Sequence, residues 1–217
     1  MQTNEPWEHP EWYDLHDTAW SAGSVREPEH YQEFLLSLPP LDKDDHLIDV
    51  GAGTGKLTAL VAQGYPYLGH ITVLEPNEIK LDRALQRLKL THPDISIDGM
   101  VYAVGEGKGI DKLQGNIVTV GSVLMPIMLL NGGSLADGLI WLRQSLTDIL
   151  NLVEVGGWIY LLETLGAPWD TGALDSPARR LNMTEFRHEL TSAGLEEIEC
   201  MYRFRDRVIF RGRKPAN

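Results

Sequence analysis

The chain has 217 residues, with 31 acidic and 19 basic side chains, a formal net charge of -12 and one cysteine. This length suits one domain with a proper core. The acidic balance gives no overall attraction to a phosphate backbone, so we expect no nucleic-acid partner. A single cysteine allows no intramolecular disulfide, and the polar first residues give no leader segment, which predicts a cytoplasmic protein. The longest apolar run is too short to span a bilayer, so no membrane partner is predicted.

Residues 1–40 differ from the rest of the chain. They combine aromatic side chains with many acids and histidines and end at Pro39-Pro40, a pair that interrupts regular structure. We therefore expect an N-terminal helical extension or lid over residues 1–40. One α/β domain is predicted over residues 41–217.

Strands and helices alternate from Leu47 onward, and right-handed crossovers between them predict a mostly parallel sheet. The predicted strands are 47–50, 71–75, about 97–103, 116–120, 158–162, about 195–202 and 207–213. The predicted helices are about 55–63, about 78–91, 135–153 and a last helix that begins near Asn182 and ends at Gly194. The apolar run from Val118 to Leu130 contains Pro126 and is interpreted as a buried strand that enters a loop.

A glycine-rich turn follows the first strand. The stretch Asp49-Val-Gly-Ala-Gly-Thr-Gly55 leads into a helix, and the second strand ends in Glu75. In α/β folds, an acid in this position after a glycine turn and a helix binds a ribose. A phosphate-binding P-loop does not fit, because three residues separate Gly51 from Gly55 instead of four and Leu57 stands where a hydroxyl is needed. A dinucleotide fingerprint is weakened by the G-x-G-x-G spacing, with Lys56 in place of a small residue.

Four segments in order resemble the motifs of class I S-adenosylmethionine (SAM)-dependent methyltransferases of the small-molecule type. They are Asp49–Gly55, Glu75, Val104–Gly107 and Val155–Trp158, the last of which resembles the turn before strand five. The resemblance covers roughly residues 40–213. It implies a Rossmann-like seven-stranded sheet, mostly parallel, with helices on both faces and an antiparallel last strand.

The resemblance also implies SAM as the cofactor and a set of binding residues. Glu75 would accept the ribose hydroxyls, although it could instead cap the following helix. Glu106 would contact the adenine, although the glycines around it could instead mark a plain flexible turn. The implied cofactor-binding residues are Asp49, Gly51, Ala52, Gly53, Gly55, Glu75, Pro76, Gly105, Glu106, Gly107 and Gly121.

Methyl transfer from a sulfonium is an in-line displacement that needs alignment and no covalent catalyst. A base is needed only where the acceptor loses a proton, and His16 with Asp17 is the candidate pair, against the alternative of a surface or hydrogen-bonded histidine. The long loop 164–181 and the aromatic N-terminal segment are expected to shape the acceptor site. The candidate substrate-binding residues are Tyr13, Trp20, Tyr31, Met125 and Trp169, each of which could instead serve the core. No metal site is predicted.

The sequence therefore predicts a SAM-dependent methyltransferase that modifies an N or O atom of a small aromatic metabolite in specialised metabolism, as a monomer or homodimer. The alternatives are an NAD(P)-dependent oxidoreductase and a non-catalytic binding protein on the same fold. The C-terminal basic residues alternate along a predicted hairpin, which favours a solvated strand face over a nucleic-acid patch. These residues are Arg203, Arg205, Arg207, Arg211, Arg213 and Lys214.

Overall fold

The protein is described by a computed structural model, which covers residues 27–107, 110 and 112–216. These residues fall into two compact units, which divide between Ala103 and Val104. The predicted site residues Tyr13, His16, Asp17 and Trp20 lie outside the described residues.

The first unit contains three strands and three helices. They are α1 (Glu27–Ser37), β1 (His46–Val50), α2 (Lys56–Gly64), β2 (His70–Glu75), α3 (Glu78–Thr91) and β3 (Ser96–Val101). Strand β2 pairs in parallel with both β1 and β3. All residues of β1 and β2 after the first are buried, as expected for parallel strands covered on both faces.

The second unit contains four strands and three helices. They are β4 (Gly115–Gly121), α4 (Leu124–Asn131), α5 (Leu135–Leu152), β5 (Val153–Thr164), α6 (Met183–Ser192), β6 (Glu196–Phe204) and β7 (Arg207–Arg213). Strand β4 is parallel to β5, whereas β7 is antiparallel to both β5 and β6. The seven strands follow the order β3-β2-β1-β4-β5-β7-β6. The predicted seven-stranded, mostly parallel sheet with an antiparallel last strand is therefore confirmed.

Helix α1 lies at the end of the predicted N-terminal extension. Phe34 on this helix is fully buried, and the Tyr65 hydroxyl after α2 lies 3.4 Å from the carbonyl oxygen of Leu38. The helix therefore packs onto the rest of the first unit through an apolar face. Its role as part of a lid stays a prediction.

Two predictions about local structure are wrong. The segment after β4 forms helix α4 and not a loop, because Pro126 stands in the first turn, where a missing N–H costs no helical hydrogen bond. Strand β5 begins at Val153, so the Gly156-Gly157 pair lies inside an irregular strand and not in a turn before it. Its pairing register with β4 shifts there, and Gly156 has a φ of 78°.

The C-terminal basic residues are not simply a solvated strand face. Arg207 is 6% exposed, Arg211 pairs with Glu199, and the Lys214 ammonium donates to two backbone carbonyls. The period-2 pattern identified the strand correctly but could not show which of its cations are paired. In the described part of the chain, no helix has the length and apolar character needed to cross a membrane.

Candidate functional site

The loop after β1 is held in an unusual backbone shape. Gly51, Gly53 and Gly55 have φ values of 70°, 57° and 77°, in the left-handed region that residues with a side chain rarely adopt. The N–H groups of Gly51 and Ala52 donate to the carbonyl oxygen of Leu74 at 2.7 and 3.2 Å. Strand β2 therefore fixes the first part of this loop.

Asp49, near the end of β1, holds the start of the loop in place. Its side chain is 2% exposed and accepts a hydrogen bond from the hydroxyl of Thr58, which is also buried on α2. Asp49 thus joins the end of β1 to the first turn of α2. This arrangement suits a residue that shapes the turn, and the predicted contact of Asp49 with a cofactor stays a prediction.

Gly53 and Gly55 face different surroundings. A Cβ atom on Gly55 would lie 2.9 Å from the Cβ of Ala84 on α3, closer than real side chains approach. Among the described residues, a Cβ atom on Gly53 would meet nothing within 4 Å. Gly55 is therefore required for helix packing, whereas Gly53 leaves open space above its backbone. Arg87 also holds the loop, since its Nη1 donates to the carbonyl oxygen of Thr54 at 2.6 Å.

Glu75 ends strand β2 beside this open space. Its Oε2 accepts the N–H of Gly53 at 2.9 Å, and its Oε1 accepts the N–H of Asn77 at 3.1 Å. The side chain is 5% exposed. Burial raises the pKa of the Glu75 carboxyl, while the two N–H groups and the charge of Lys80 oppose this rise.

The alternative that Glu75 caps helix α3 is not needed. Asn77 is the N-cap of that helix, and its side chain accepts the N–H of Lys80 at 3.1 Å. A carboxylate has about four acceptor positions, of which the two hydrogen bonds to Gly53 and Asn77 use two. Glu75 therefore keeps acceptor capacity beside the open space of Gly53.

These residues fit the ribose and methionine parts of SAM. A ribose diol needs two acceptors on one carboxylate, and the methionine part needs backbone without side chains in its way. The carboxylate of Glu75 and the open backbone at Gly53 supply both. A nicotinamide dinucleotide also contains a ribose diol, so this geometry alone leaves both cofactors open.

Glu106 stands in a short turn of the second unit. Asp148, which is 4% exposed, accepts the N–H of Gly105 at 2.7 Å and that of Gly107 at 3.3 Å. The turn is therefore anchored at both glycines, which disfavours a plain flexible turn, and the Glu106 side chain is exposed. Its contact with a cofactor stays a prediction, as do those of Pro76, which is exposed after β2, and Gly121, the last residue of β4.

The predicted substrate residues that the structure describes lie in different settings. Tyr31 is half-buried on α1, Met125 is 1% exposed on α4, and Trp169 is 83% exposed in the loop after β5. Met125 offers a ligand little surface in this conformation. The described residues include no cluster of His, Cys, Asp or Glu side chains that could hold a metal ion.

Sequence reasoning missed Glu163, the acid near the end of β5. Its carboxylate is fully buried and accepts the N–H groups of Val123, Leu124 and Met125 at 3.0, 2.8 and 3.5 Å. Val123 makes no side-chain cap for α4, so Glu163 takes that role. Burial raises its pKa to about 7, although the three N–H groups and the charge of Arg207 oppose the rise. A lone acid after a long apolar strand was the available signal.

No protein-family model matches this chain, and no curated protein matches it. Solved structures do. An O-methyltransferase family protein from Burkholderia thailandensis matches with a TM-score of 0.70 at 13% identity, over 96% of this chain and 60% of that one. PigF, solved with SAH, matches with a TM-score of 0.62 at 17% identity, over 85% and 60%. The 4+2 cyclase SpnF matches with a TM-score of 0.66 at 14% identity, over 93% and 87%.

Identities this low show a shared fold and no shared activity. The chain spans 60% of the length of the first two of these proteins. The TM-scores of 0.62 to 0.70 show that these proteins share the fold that contains the seven-stranded sheet found here. The chain therefore has the Rossmann-like fold of the class I SAM-dependent methyltransferases.

Proposed function

We propose that the protein is a SAM-dependent methyltransferase that acts on an N or O atom of a small aromatic or partly apolar molecule. The observation that carries this proposal is the hydrogen bond from the Gly53 N–H to Glu75. It joins the glycine turn and the strand-end acid into one surface with free acceptor capacity. We place the reaction in the cytoplasm and in specialised metabolism, as the sequence predicts.

The residues of this surface have separate tasks. Glu75 accepts the ribose hydroxyls, Gly53 leaves room for the methionine part, and Asp49 keeps the turn in shape through Thr58. Bound SAM supplies an electrophilic methyl group and a neutral thioether leaving group. The protein then needs to align the acceptor and exclude water, and a base is required only where the acceptor must lose a proton.

Two other functions deserve a test. A nicotinamide-dependent oxidoreductase is disfavoured because β7 runs antiparallel between β5 and β6, unlike the parallel order 3-2-1-4-5-6 of the classic dinucleotide fold. A function without methyl transfer is favoured by one finding, since the matching protein SpnF is named a cyclase. The same cofactor surface could then bind SAM without donating its methyl group.

Calorimetric titration of S-adenosylhomocysteine into wild type, Glu75→Ala and Glu78→Ala tests the proposal. We expect micromolar binding to wild type. The Glu75→Ala change should weaken it by about 1–3 kcal/mol, or roughly 5- to 150-fold, since it removes a partner from buried polar groups. Glu78 is exposed in the first turn of α3, so Glu78→Ala removes the same charge nearby and should leave the affinity unchanged.

The contrary results are distinct. Folded wild type that does not bind S-adenosylhomocysteine, but does change the fluorescence of NADH on mixing, would replace the proposal with the oxidoreductase. An equal loss of S-adenosylhomocysteine affinity in Glu75→Ala and Glu78→Ala would mean that Glu75 does not bind the cofactor. Binding of SAM without methyl transfer to any member of a panel of phenols and aromatic amines would favour the non-catalytic alternative.

A further inference from the structure

A cavity of about 560 Å³ lies in the second unit. It is bounded by the loop after β5, the start of α6 and the β6–β7 hairpin. Leu165, Met183 and Val208 give it an apolar lining, of which Leu165 and Val208 are buried. Its volume is within the range of roughly 300–1,000 Å³ that is usual for small-molecule sites.

Three arginines, Arg187, Arg203 and Arg205, line this cavity. Among the described residues, Arg187, Arg203 and Arg205 form no ion pair. Arg187 and Arg205 lie 5.9 and 5.4 Å from the ring centres of phenylalanines, and Arg203 donates to the sulfur of Met183 at 3.5 Å. The chain as a whole is acidic, with 31 acidic and 19 basic side chains. The three arginines therefore give this cavity a positive charge that contrasts with the rest of the chain.

The acidic side chains of the cavity do not neutralise these cations. Glu185 is bound by two nitrogens of Arg179, at 2.9 and 2.6 Å. Asp206 lies 3.9 Å from Arg180, and its Oδ1 is buried with no hydrogen-bond partner among the described residues. Asp206 therefore offers an acceptor to an incoming N–H or O–H group.

Cys200 lies near two of the cations. Burial raises the pKa of its thiol, and the hydrogen bond to the Tyr202 carbonyl oxygen and the charges of Arg187 and Arg203 oppose this rise. The thiol lines the cavity and is the only one in the chain. It therefore gives a chemical reporter at this position.

We propose that this cavity binds a small molecule that carries one anionic group on an apolar or aromatic body. Guanidinium groups bind carboxylate, sulfonate and phosphate oxygens through charge-assisted hydrogen bonds. Met183, which is half-buried, and the aliphatic stems of the three arginines receive the apolar body, and Asp206 accepts a donor from it. A molecule of this chemistry is either the methyl acceptor or a separate regulator. The identification as the methyl acceptor rests on the proposed function.

Fluorescence titration with 1-anilinonaphthalene-8-sulfonate tests the charge requirement, with N-phenyl-1-naphthylamine as the same body without the anion. We expect Arg187→Gln and Arg203→Gln each to raise the sulfonate's dissociation constant about tenfold, since each removes a charge-assisted hydrogen bond. Arg211→Gln is the control on the same hairpin as Arg203, because it removes the same charge outside the cavity, from a residue that pairs with Glu199. The neutral probe should bind all four proteins with equal, weaker affinity.

Protection of Cys200 tests the location. The sulfonate should slow the reaction of wild type with 4,4′-dithiodipyridine, a neutral thiol reagent, and at the same concentration should protect Arg203→Gln much less. Circular dichroism checks that each variant is folded. Unchanged sulfonate affinity in folded Arg187→Gln and Arg203→Gln, or binding that leaves the thiol reaction rate unchanged, would overturn the proposal.

Competition by aromatic carboxylates then separates the two sources. A carboxylate that displaces the sulfonate and is methylated in the presence of SAM is an acceptor. One that displaces it and is not methylated, although S-adenosylhomocysteine binds, is a regulator. Both results support the anion site, and the sulfonate titration keeps its meaning even where the protein binds no S-adenosylhomocysteine.

Discussion

Glu75 and Glu163 are the same residue type in similar positions, at the ends of strands β2 and β5, yet the structure uses them differently. Both are buried, both accept backbone N–H groups, and burial raises the pKa of both. Glu163 accepts three N–H groups at the start of α4 and is fully buried. Glu75 accepts two and lies beside open space at Gly53.

The difference teaches how to separate a structural acid from a binding acid. Burial and a raised pKa do not distinguish them, because both properties follow from the end of an apolar strand. The remaining acceptor capacity does. The acceptor positions of Glu163 are occupied by the N–H groups of a helix N-terminus that has no side-chain cap of its own. Glu75 does not cap α3, because Asn77 does.

Replacement of Glu163 by alanine should give the largest effect. It leaves three N–H groups without their acceptor in the core, so we expect the free energy of unfolding to fall by about 2–4 kcal/mol. Urea denaturation measures this. Titration below the transition should show unchanged affinity for S-adenosylhomocysteine, in contrast to Glu75→Ala. Reduced affinity in folded Glu163→Ala would break the comparison, since Glu163 would then also support binding.

The pH dependence of stability should sharpen the comparison next. Glu163 has a pKa of about 7 in the folded chain against an ordinary value of 4.5, so between these values the folded state keeps a proton that the unfolded state has lost. Its contribution is therefore complete below the ordinary value and is lost as the pH rises to about 7. We expect a loss of up to about 3 kcal/mol over this window.

The matched variant is Glu163→Gln, which cannot ionise and keeps an acceptor oxygen. The unfolding free energy of wild type minus that of this variant, measured by urea denaturation at several pH values, should decrease as the pH rises. A difference that stays constant would mean that the carboxyl keeps an ordinary pKa in the folded state.

The two glycines of the turn should show the smallest and most selective effects. Alanine at either position is strained by the positive φ, but only Gly55→Ala also meets Ala84. We expect Gly55→Ala to lower the unfolding free energy by roughly 2–3 kcal/mol and Gly53→Ala by about 1 kcal/mol. Gly53→Ala should instead weaken S-adenosylhomocysteine binding more in calorimetry. A reversed order of stability would contradict the close packing of Gly55.

Sequence patterns predicted most of the fold because they carry local information. The alternation of apolar strands and helices placed β7 and α3 at their observed bounds. The helix predicted to begin near Asn182 is α6, whose N-terminus is closed by a capping box of Asn182 and Glu185. Helix α4 was missed because its residues are almost all apolar, so they show no helical period, and because Pro126 suggested a break.

The candidate site was predictable only in part, for a physical reason. Glu75 follows a motif within one strand-turn-helix-strand unit, so spacing along the chain was enough to propose it. Glu163 acts on N–H groups about forty residues earlier in the chain, and Arg187 reaches the cavity from a different element than Arg203. Contacts of this kind depend on how distant elements pack, which spacing does not record.

The close approach of Gly55 to Ala84 links two positions that sequence reading treats as unrelated. A larger residue at 84 would push helix α3 away from the turn, and a larger residue at 55 would do the same from the other side. Related sequences should therefore have small residues at both positions. A joint search for this pair with the glycine turn would recognise distant relatives that a search on the turn alone would miss.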